Sequence, residues 1–157
     1  MSAASRLACL CLLCVAVAAC GGGSIASNRT QIMNMFSGLE SAMAHGHYAT
    51  ACNHFSERQQ SQIVAGAKKA GLSSVSTCSD AFGLLIKETG ITRAQLAQAF
   101  GGDTVPKIKS LSVHGDQATV TYTTAFQGKP YTETDVLVRE EGSWRADRTV
   151  KRTPSSS

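Results

Sequence analysis

The stretch VLVREEGSWRAD, residues 136–147, has the pattern of two short strands joined by a tight turn. Apolar and polar residues alternate on both sides of the turn EEGS, residues 140–143. Such a period of two places successive side chains on opposite faces of a strand. In the second run, Trp144 shares one face with Ala146 and Val150. The stretch therefore predicts the closing hairpin of an antiparallel sheet.

The same period of two extends upstream from this hairpin. Val120, Tyr122 and Phe126 fall on one face of a predicted strand, while three threonines occupy the other face. Turns rich in glycine separate the apolar runs. About four strands are expected, and they contain residues 111–113, 120–126, 131–139 and 144–150.

The part of the chain before Pro106 has helical spacing instead. Apolar residues recur at steps of three and four between Ile32 and Met43. Ser56 and Thr92 each precede a glutamine by three residues, which is typical of a capping box at a helix start. The predicted helices run from residue 28 to 45, from 56 to 71 with Ile63, Val64 and Ala67 on the buried side, from 78 to 90, and from 93 to 100.

Helices followed by strands predict an α+β domain. Each element has one apolar face, and the helices can bury theirs only against one side of the sheet. We expect N-terminal helices packed on a curved antiparallel sheet of about four strands, with a cone-like shape.

Residues 1–19 are typical of a bacterial lipoprotein signal peptide. One charge, Arg6, precedes an apolar stretch, and small residues come directly before Cys20. The Cys20 thiol would take a diacylglycerol and, after cleavage, begin the mature chain, so acyl chains such as palmitate would anchor it outside the cytoplasm. An ordinary secretory signal or a single membrane span is the alternative, although a span needs about 20 apolar residues.

This signal sets the expected domain organisation and location. Residues 20–27 would form the lipidated cysteine and a flexible tether, residues 28–150 a single α+β domain, and residues 151–157 a polar tail. The protein would lie on the extracytoplasmic face of the cell membrane. Gly21 replaces the aspartate that retains many lipoproteins at an inner membrane, which leaves an outer-membrane location open where the host has one.

The cysteine pattern predicts one disulfide. Of six cysteines, only Cys52 and Cys78 remain once Cys20 and the three in the signal peptide are set aside. Two cysteines in an oxidising compartment tend to pair, and closing this loop would stabilise the fold by roughly 3.5 kcal/mol. A redox-active pair is the alternative, but the two residues lack the close Cys-x-x-Cys spacing that favours exchange.

The charge distribution excludes nucleic acid as an expected partner. The chain has 15 Lys and Arg against 11 Asp and Glu, and the signal peptide removes one of the basic residues. The remaining excess is small and mostly scattered, with one basic cluster near the C-terminal end. That cluster suits an anionic lipid or cell-wall surface.

The chain resembles the nuclear transport factor 2-like superfamily, and in particular its small bacterial lipoproteins. The resemblance is carried by AHGHYATAC at residues 44–52, by the returning Cys78 and by the closing hairpin at residues 136–147. It implies a cone whose mouth can hold a ligand. Its relatives include ketosteroid isomerases, polyketide cyclases and dehydratases as well as binding domains, so the fold alone implies no activity. Gly46-His47 stands where such proteins often have Gly-Asp.

Histidine offers the chain's best metal ligands, since His45, His47 and His54 fall within ten residues. Positions two apart on a helix point in different directions, and Gly46 favours a turn. We therefore predict no metal site and no cofactor, with a His-rich metal-binding protein as an alternative. His114, in a Gly-Asp turn, is expected on the surface.

No residue pattern selects a catalytic group. Tyr122, Tyr131 and Asp135 lie on predicted strands and could face the cone, but Asp135 is expected on the solvent face opposite Val136. Tyr122 is expected in the core with its hydroxyl group at the rim. Trp144, Tyr122 and Phe126 are the candidate pocket residues.

Together these patterns predict a noncatalytic domain that binds a small apolar ligand or a partner protein of the envelope. A cone-pocket enzyme of the isomerase, cyclase or dehydratase type is the alternative. The membrane, through the lipid anchor, is the expected partner in either case.

Overall fold

The computed structural model describes residues 24–92, 94–96, 106–126 and 129–154, except for the side chain of Phe126. In this part of the chain, helices precede a four-stranded antiparallel sheet. The predicted α+β fold is confirmed. The elements are α1 (Ile25–Ala44), α2 (Tyr48–Cys52), α3 (Glu57–Lys69), α4 (Cys78–Thr89), β1 (Lys107–His114), β2 (Gln117–Phe126), β3 (Lys129–Glu140) and β4 (Ser143–Pro154).

Helices α1, α3 and α4 begin at side-chain caps, whereas α2 has none. The Ser24 hydroxyl accepts a hydrogen bond at the start of α1, and the Ser56 hydroxyl accepts one from the Gln59 backbone at the start of α3. Before α4, Thr77 forms a reciprocal capping box that the sequence analysis did not predict. The predicted box at Thr92 is present, and residues 94–96 are helical. Residues 97–100 of that predicted helix lie outside the described residues.

Two predicted boundaries differ from the structure. The expected tether reached residue 27, whereas α1 begins at Ile25 because Ser24 already caps it. The expected polar tail began at residue 151, whereas β4 continues to Pro154 through pairing with β3. Residues 1–23 and 155–157 lie outside the described part.

The strands pair in sequence order, β1-β2-β3-β4. At the turn between β3 and β4, Glu141 and Gly142 both have positive φ angles, 52° and 79°. Two consecutive left-handed residues match the twist of a tight hairpin, so the closing hairpin forms where it was predicted.

Strand β4 contains two β-bulges that the sequence analysis missed. The pairing with β3 skips one residue at Asp147 and one at Val150. Each extra residue reverses the alternation of faces and bends the strand. The predicted shared face of Trp144, Ala146 and Val150 is therefore wrong at its end: Trp144 is 3% exposed and Val150 is 59% exposed.

The largest hydrophobic cluster lies between α1 and the sheet, and we call it the sheet cluster. Leu137 and Ile32 are fully buried at its centre. It contains Ile32, Met35, Phe36, Ile108, Ala118, Val120, Tyr122, Leu137 and Trp144.

A smaller cluster, the helix cluster, lies where α1, α2 and α4 meet. Its buried members are Ala42, Met43 and Ala51, with Leu39, Tyr48 and Phe82 packed around them. Beside it, Cys52 and Cys78, the predicted pair, form a disulfide between α2 and α4.

Helix α3 packs more loosely than predicted. Ile63, Val64 and Ala67 are half-buried, and no residue of α3 is fully buried. The helix is joined to the sheet at its start, where the backbones of His54 and Ser56 bond to Ala146 of β4. These backbone hydrogen bonds fix the α2–α3 junction against β4.

Candidate functional site

A cavity of about 320 Å³ lies between α1, the α2–α3 junction and the inner face of the sheet. One part of its wall is apolar, with Phe36 and Leu39 from α1 and Phe55 from the junction. The opposite part is polar and comes from the sheet. Its other lining residues are Glu40, Gln59, Pro106, Tyr122, Thr124, Ala125, Glu133, Asp135, Ala146, Arg148, Thr149 and Arg152. We call this space the α1–sheet cavity.

The polar wall is centred on Tyr122. Its hydroxyl oxygen lies 2.9 Å from Oε2 of Glu133 and 2.7 Å from Oδ2 of Asp135. Arg152 pairs with the other carboxylate oxygen of Glu133. The Tyr122 ring packs against Phe36 with 4.8 Å between ring centroids. The cluster therefore joins an aromatic wall to a hydrogen-bonded set of acids.

Burial changes the acidity of this cluster. It raises the pKa of Asp135, although the hydrogen bond from Tyr122 opposes the rise. Burial, the Asp135 charge and the hydrogen bond to Asp135 raise the pKa of Tyr122, so its hydroxyl keeps its proton.

A separate carboxyl group faces the cavity from α1. Glu40 makes no hydrogen bond or ion pair with any described residue, and burial raises its pKa to about 7. It therefore changes charge near neutral pH, which is the range useful for transferring a proton.

The expectation that Asp135 faces solvent is wrong, because its side chain is 6% exposed and lines the cavity. Asp135 pairs directly with Val120 across the β2–β3 ladder, and Tyr122 pairs with Glu133. Partners directly opposite each other share a face. The last pair of the ladder, Phe126 with Lys129, belongs to the same register.

The predicted pocket residues lie in different places. Tyr122 lines the cavity as expected. Trp144 is buried in the sheet cluster but does not line the cavity; its indole N–H donates to Oδ1 of Asn28 at 3.3 Å. The side chain of Phe126 and the lipidation candidate Cys20 lie outside the described residues. Glu40 and Glu133 were not among the predicted residues.

The histidines do not converge on one site. The rings of His45 and His47 stack at 5.9 Å, whereas His54 packs against Gly38 of α1. His114, at the end of β1, is exposed. Among the described residues, no three side chains of His, Cys, Asp or Glu are grouped as metal ligands would be.

A second buried acid joins the helices to the sheet. Asp147, at the first bulge of β4, accepts hydrogen bonds from Ser56 at 2.7 Å and from Nε of Arg58 at 2.9 Å. Burial alone would raise its pKa, but the bonds from Arg58 and Ser56 outweigh this and hold it below the ordinary value. Asp147 therefore joins the start of α3 to β4 as an ion-paired carboxylate.

No helix of the described ranges is long and apolar enough to cross a membrane.

Comparison with known proteins finds likeness in structure. No family model matches the chain, and no curated protein matches it. It is similar to a crystal structure from Silicibacter pomeroyi DSS-3, with a TM-score of 0.46, 18% identity and coverage of 81% of this chain and 99% of the other. It is also similar to one from Shewanella baltica OS155, with a TM-score of 0.46, 12% identity and coverage of 85% and 100%. Both are described as NTF-2-like proteins of unknown function.

Proposed function

We propose that this chain is a lipid-anchored, extracytoplasmic protein whose nuclear transport factor 2-like domain binds a small, partly apolar molecule in the α1–sheet cavity. The main observation in support of this proposal is the cavity itself. Ligand sites are typically concave and largely apolar, with a few polar groups that orient the ligand. The α1–sheet cavity has both features.

The cavity dimensions limit the ligand. Its volume of about 320 Å³ is near the lower end of the range for small-molecule sites, roughly 300–1,000 Å³. A compact molecule of one to three small rings fits this volume, whereas a long acyl chain or a large polycyclic compound does not. The combination of apolar and polar groups inside one concave cavity favours a small molecule over a partner protein.

Binding is tested by filling the cavity. Native purification followed by mass spectrometry identifies any retained molecule, and titration calorimetry measures its affinity. Ala125 lines the cavity, so Ala125→Phe should abolish the rise in melting temperature that the ligand causes. Ala65→Phe makes the same change on the exposed face of α3 and should keep that rise. Equal ligand effects in both variants would rule out this cavity as the site.

The anchor is proposed from the sequence around Cys20. Small residues precede Cys20, and the first described helix begins only five residues after it. Cys20→Ser should block incorporation of labelled palmitate and leave a longer precursor in the membrane fraction. Labelling of that variant, or no labelling of the wild type, would contradict the lipoprotein assignment.

A second candidate function is proton transfer on the bound molecule. Glu40, with a pKa of about 7, lines the cavity beside the apolar side chains of Phe36 and Leu39. A carboxylate of this pKa next to a bound ketone can remove a proton from the carbon beside the carbonyl group.

This second function has a direct assay. Cyclic ketones in D2O should exchange their α-protons faster with the wild-type protein than without it, and Glu40→Gln should remove the difference. Glu88→Gln, an exposed change on α4, is the matched control. Exchange rates equal to those in buffer alone would leave binding without catalysis.

A further inference from the structure

One oxygen at the base of the α1–sheet cavity lacks a partner. Asp135 is 6% exposed, and its Oδ2 lies 2.7 Å from the Tyr122 hydroxyl. Its Oδ1 is buried and has no hydrogen-bond partner among the described residues. The Thr149 hydroxyl, opposite Asp135 on β4, lies close enough to this carboxyl group to lower its pKa, but it makes no hydrogen bond of ordinary geometry to Oδ1. A buried carboxyl oxygen without a partner is costly and rare, so it calls for an explanation.

The number of protons shared by Tyr122, Glu133 and Asp135 determines whether Oδ1 of Asp135 can donate or accept a hydrogen bond. The Tyr122 hydroxyl has one hydrogen, but its oxygen lies within hydrogen-bond distance of two carboxyl groups. Both contacts can be hydrogen bonds only if one carboxyl group carries a proton. Glu133 is ion-paired with Arg152 through its other oxygen, whereas Asp135 makes no ion pair with any described residue. The extra proton therefore belongs to Asp135.

The position of that proton follows from the same contacts. A proton on Oδ2 of Asp135 lets this carboxyl group donate to Tyr122, which then donates to Glu133. Oδ1 is left as a bare carbonyl oxygen. If Asp135 is ionised instead, Tyr122 donates to Oδ2, and Oδ1 again has only lone pairs to offer. In both states Oδ1 is a hydrogen-bond acceptor.

We propose that the ligand of the α1–sheet cavity presents an O–H or N–H donor to Oδ1 of Asp135 and packs its apolar body against Phe36, Leu39 and Phe55. This rests on the proposed binding function and names its ligand class: a compact alcohol or amine. A ketone of the same shape would place a second acceptor against Oδ1 and leave both oxygens without a hydrogen.

The proposal is tested with three rigid probes of nearly equal volume. They are 1-adamantanol, 1-adamantanamine and 2-adamantanone, each titrated into the full domain by calorimetry. The alcohol and the amine should bind about tenfold or more tightly than the ketone, since a buried group left unpaired costs that much affinity. Equal affinities, or tighter binding of the ketone, would overturn the proposal.

Two variants assign the preference to Asp135. Asp135→Asn keeps the shape and can donate from its nitrogen to Tyr122 while its carbonyl oxygen replaces Oδ1, so the preference for the alcohol over the ketone should persist. Asp135→Leu removes the acceptor and should abolish the preference. Asp116→Asn, an exposed change in the β1–β2 turn, is the control. If Asp135→Asn lost the preference, or Asp135→Leu kept it, another acceptor such as Glu40 would be responsible and the assignment would fail.

These outcomes separate the two proposals. Binding of none of the probes, together with no retained molecule in native purification, would count against the binding function itself. Binding of all three with equal affinity would keep the binding function and remove the donor requirement. Where Asp135→Leu does not fold, the wild-type series and Asp135→Asn still decide the question.

Discussion

The two hydrophobic clusters along α1 differ in what stabilises them. The sheet cluster buries large side chains, among them Phe36, Leu137 and Trp144. The helix cluster has only Met43 and two alanines fully buried, and it lies beside the Cys52–Cys78 disulfide. Burial free energy grows with apolar area, so the sheet cluster can depend on packing alone. The disulfide therefore lies beside the cluster whose buried side chains are the smaller ones.

Among the stability variants, removal of the Trp144 side chain from the sheet cluster should lower the free energy of unfolding most. Trp144→Ala leaves a cavity, removes the hydrogen bond to Asn28 and removes the stacking of the Arg139 guanidinium group, 4.6 Å from the ring centroid. We expect a loss of about 3–5 kcal/mol in the free energy of unfolding. Urea unfolding followed by circular dichroism measures it.

Val150→Ala is the control for this experiment. Its side chain is on the same strand but is 59% exposed, so the change should stay within about 0.5 kcal/mol. Similar losses in the two variants would contradict the description of the sheet cluster as the main core.

Removing the disulfide should affect the helix cluster. The double variant with Cys52→Ala and Cys78→Ala frees a loop with a sequence separation of 26 residues, and we expect a loss of about 3 kcal/mol. Native-state hydrogen exchange should show α2 and α4 losing protection before β2 and β3. Wild-type protein reduced with dithiothreitol should behave in the same way. Equal loss of protection in the sheet would mean that the two clusters unfold as one unit.

Asp147 joins the start of α3, which lies outside both clusters, to β4, and its loss should have an intermediate effect. Asp147→Asn leaves Arg58 without its carboxylate partner and weakens the bond from Ser56, at an expected cost of about 2 kcal/mol at pH 7. The folded-state pKa of Asp147 lies below its ordinary value of 3.8. Its contribution is therefore complete above that value and is lost as the pH falls through the lower folded-state pKa.

The pH dependence provides the check on Asp147. Thermal unfolding of the wild type and the variant should differ clearly at pH 7 and converge as the pH falls through the lowered folded-state pKa of Asp147. Asp116→Asn should show no such difference at either pH. A constant gap across the whole pH range would show that lost packing, not charge, causes the effect.

Replacing Glu40 should change the stability of the protein least, and it should raise stability where the other changes lower it. Its pKa is 4.5 in its ordinary state and about 7 in the folded protein. The folded state therefore binds more protons between these values, and stability falls as the pH rises through that window. Glu40→Gln should raise stability above pH 7 by about 1 kcal/mol, reduced for its partial exposure, and change nothing at pH 4.

Melting temperatures at pH 4 and pH 8 test this, with Glu88→Gln as the control. A variant of Glu40 less stable than the wild type at pH 8 would show that the carboxylate has a stabilising partner. It would also weaken the case for Glu40 as a base.

Most of the fold was predictable because hydrophobic period and capping residues are local signals. The closing hairpin, the cap at Ser56 and the disulfide pair follow from neighbouring residues in the chain. The bulges at Asp147 and Val150 were not predicted, because a single extra residue leaves no mark on composition and depends on contacts with β3.

The site was less predictable than the fold. Tyr122 was identified because it shares a face with Val120, but Asp135 was assigned to solvent because its charge and the neighbouring Val136 favoured that orientation. Only the β2–β3 register brings Glu133 and Asp135 to the buried face. Glu40 on α1 meets them only through the packing of α1 on the sheet, a tertiary contact that no local pattern reports.

The hydrogen bond between Asn28 and Trp144 also bears on the order of folding. The strands pair with their sequence neighbours, so the sheet can grow from short loop closures, whereas this bond joins residues 116 positions apart. Helix α1 is synthesised before the strands, but its side chains in the sheet cluster cannot be fully buried until β4 has been synthesised. We expect α1 to dock in the slowest step, and until then its exposed face must be kept from aggregation.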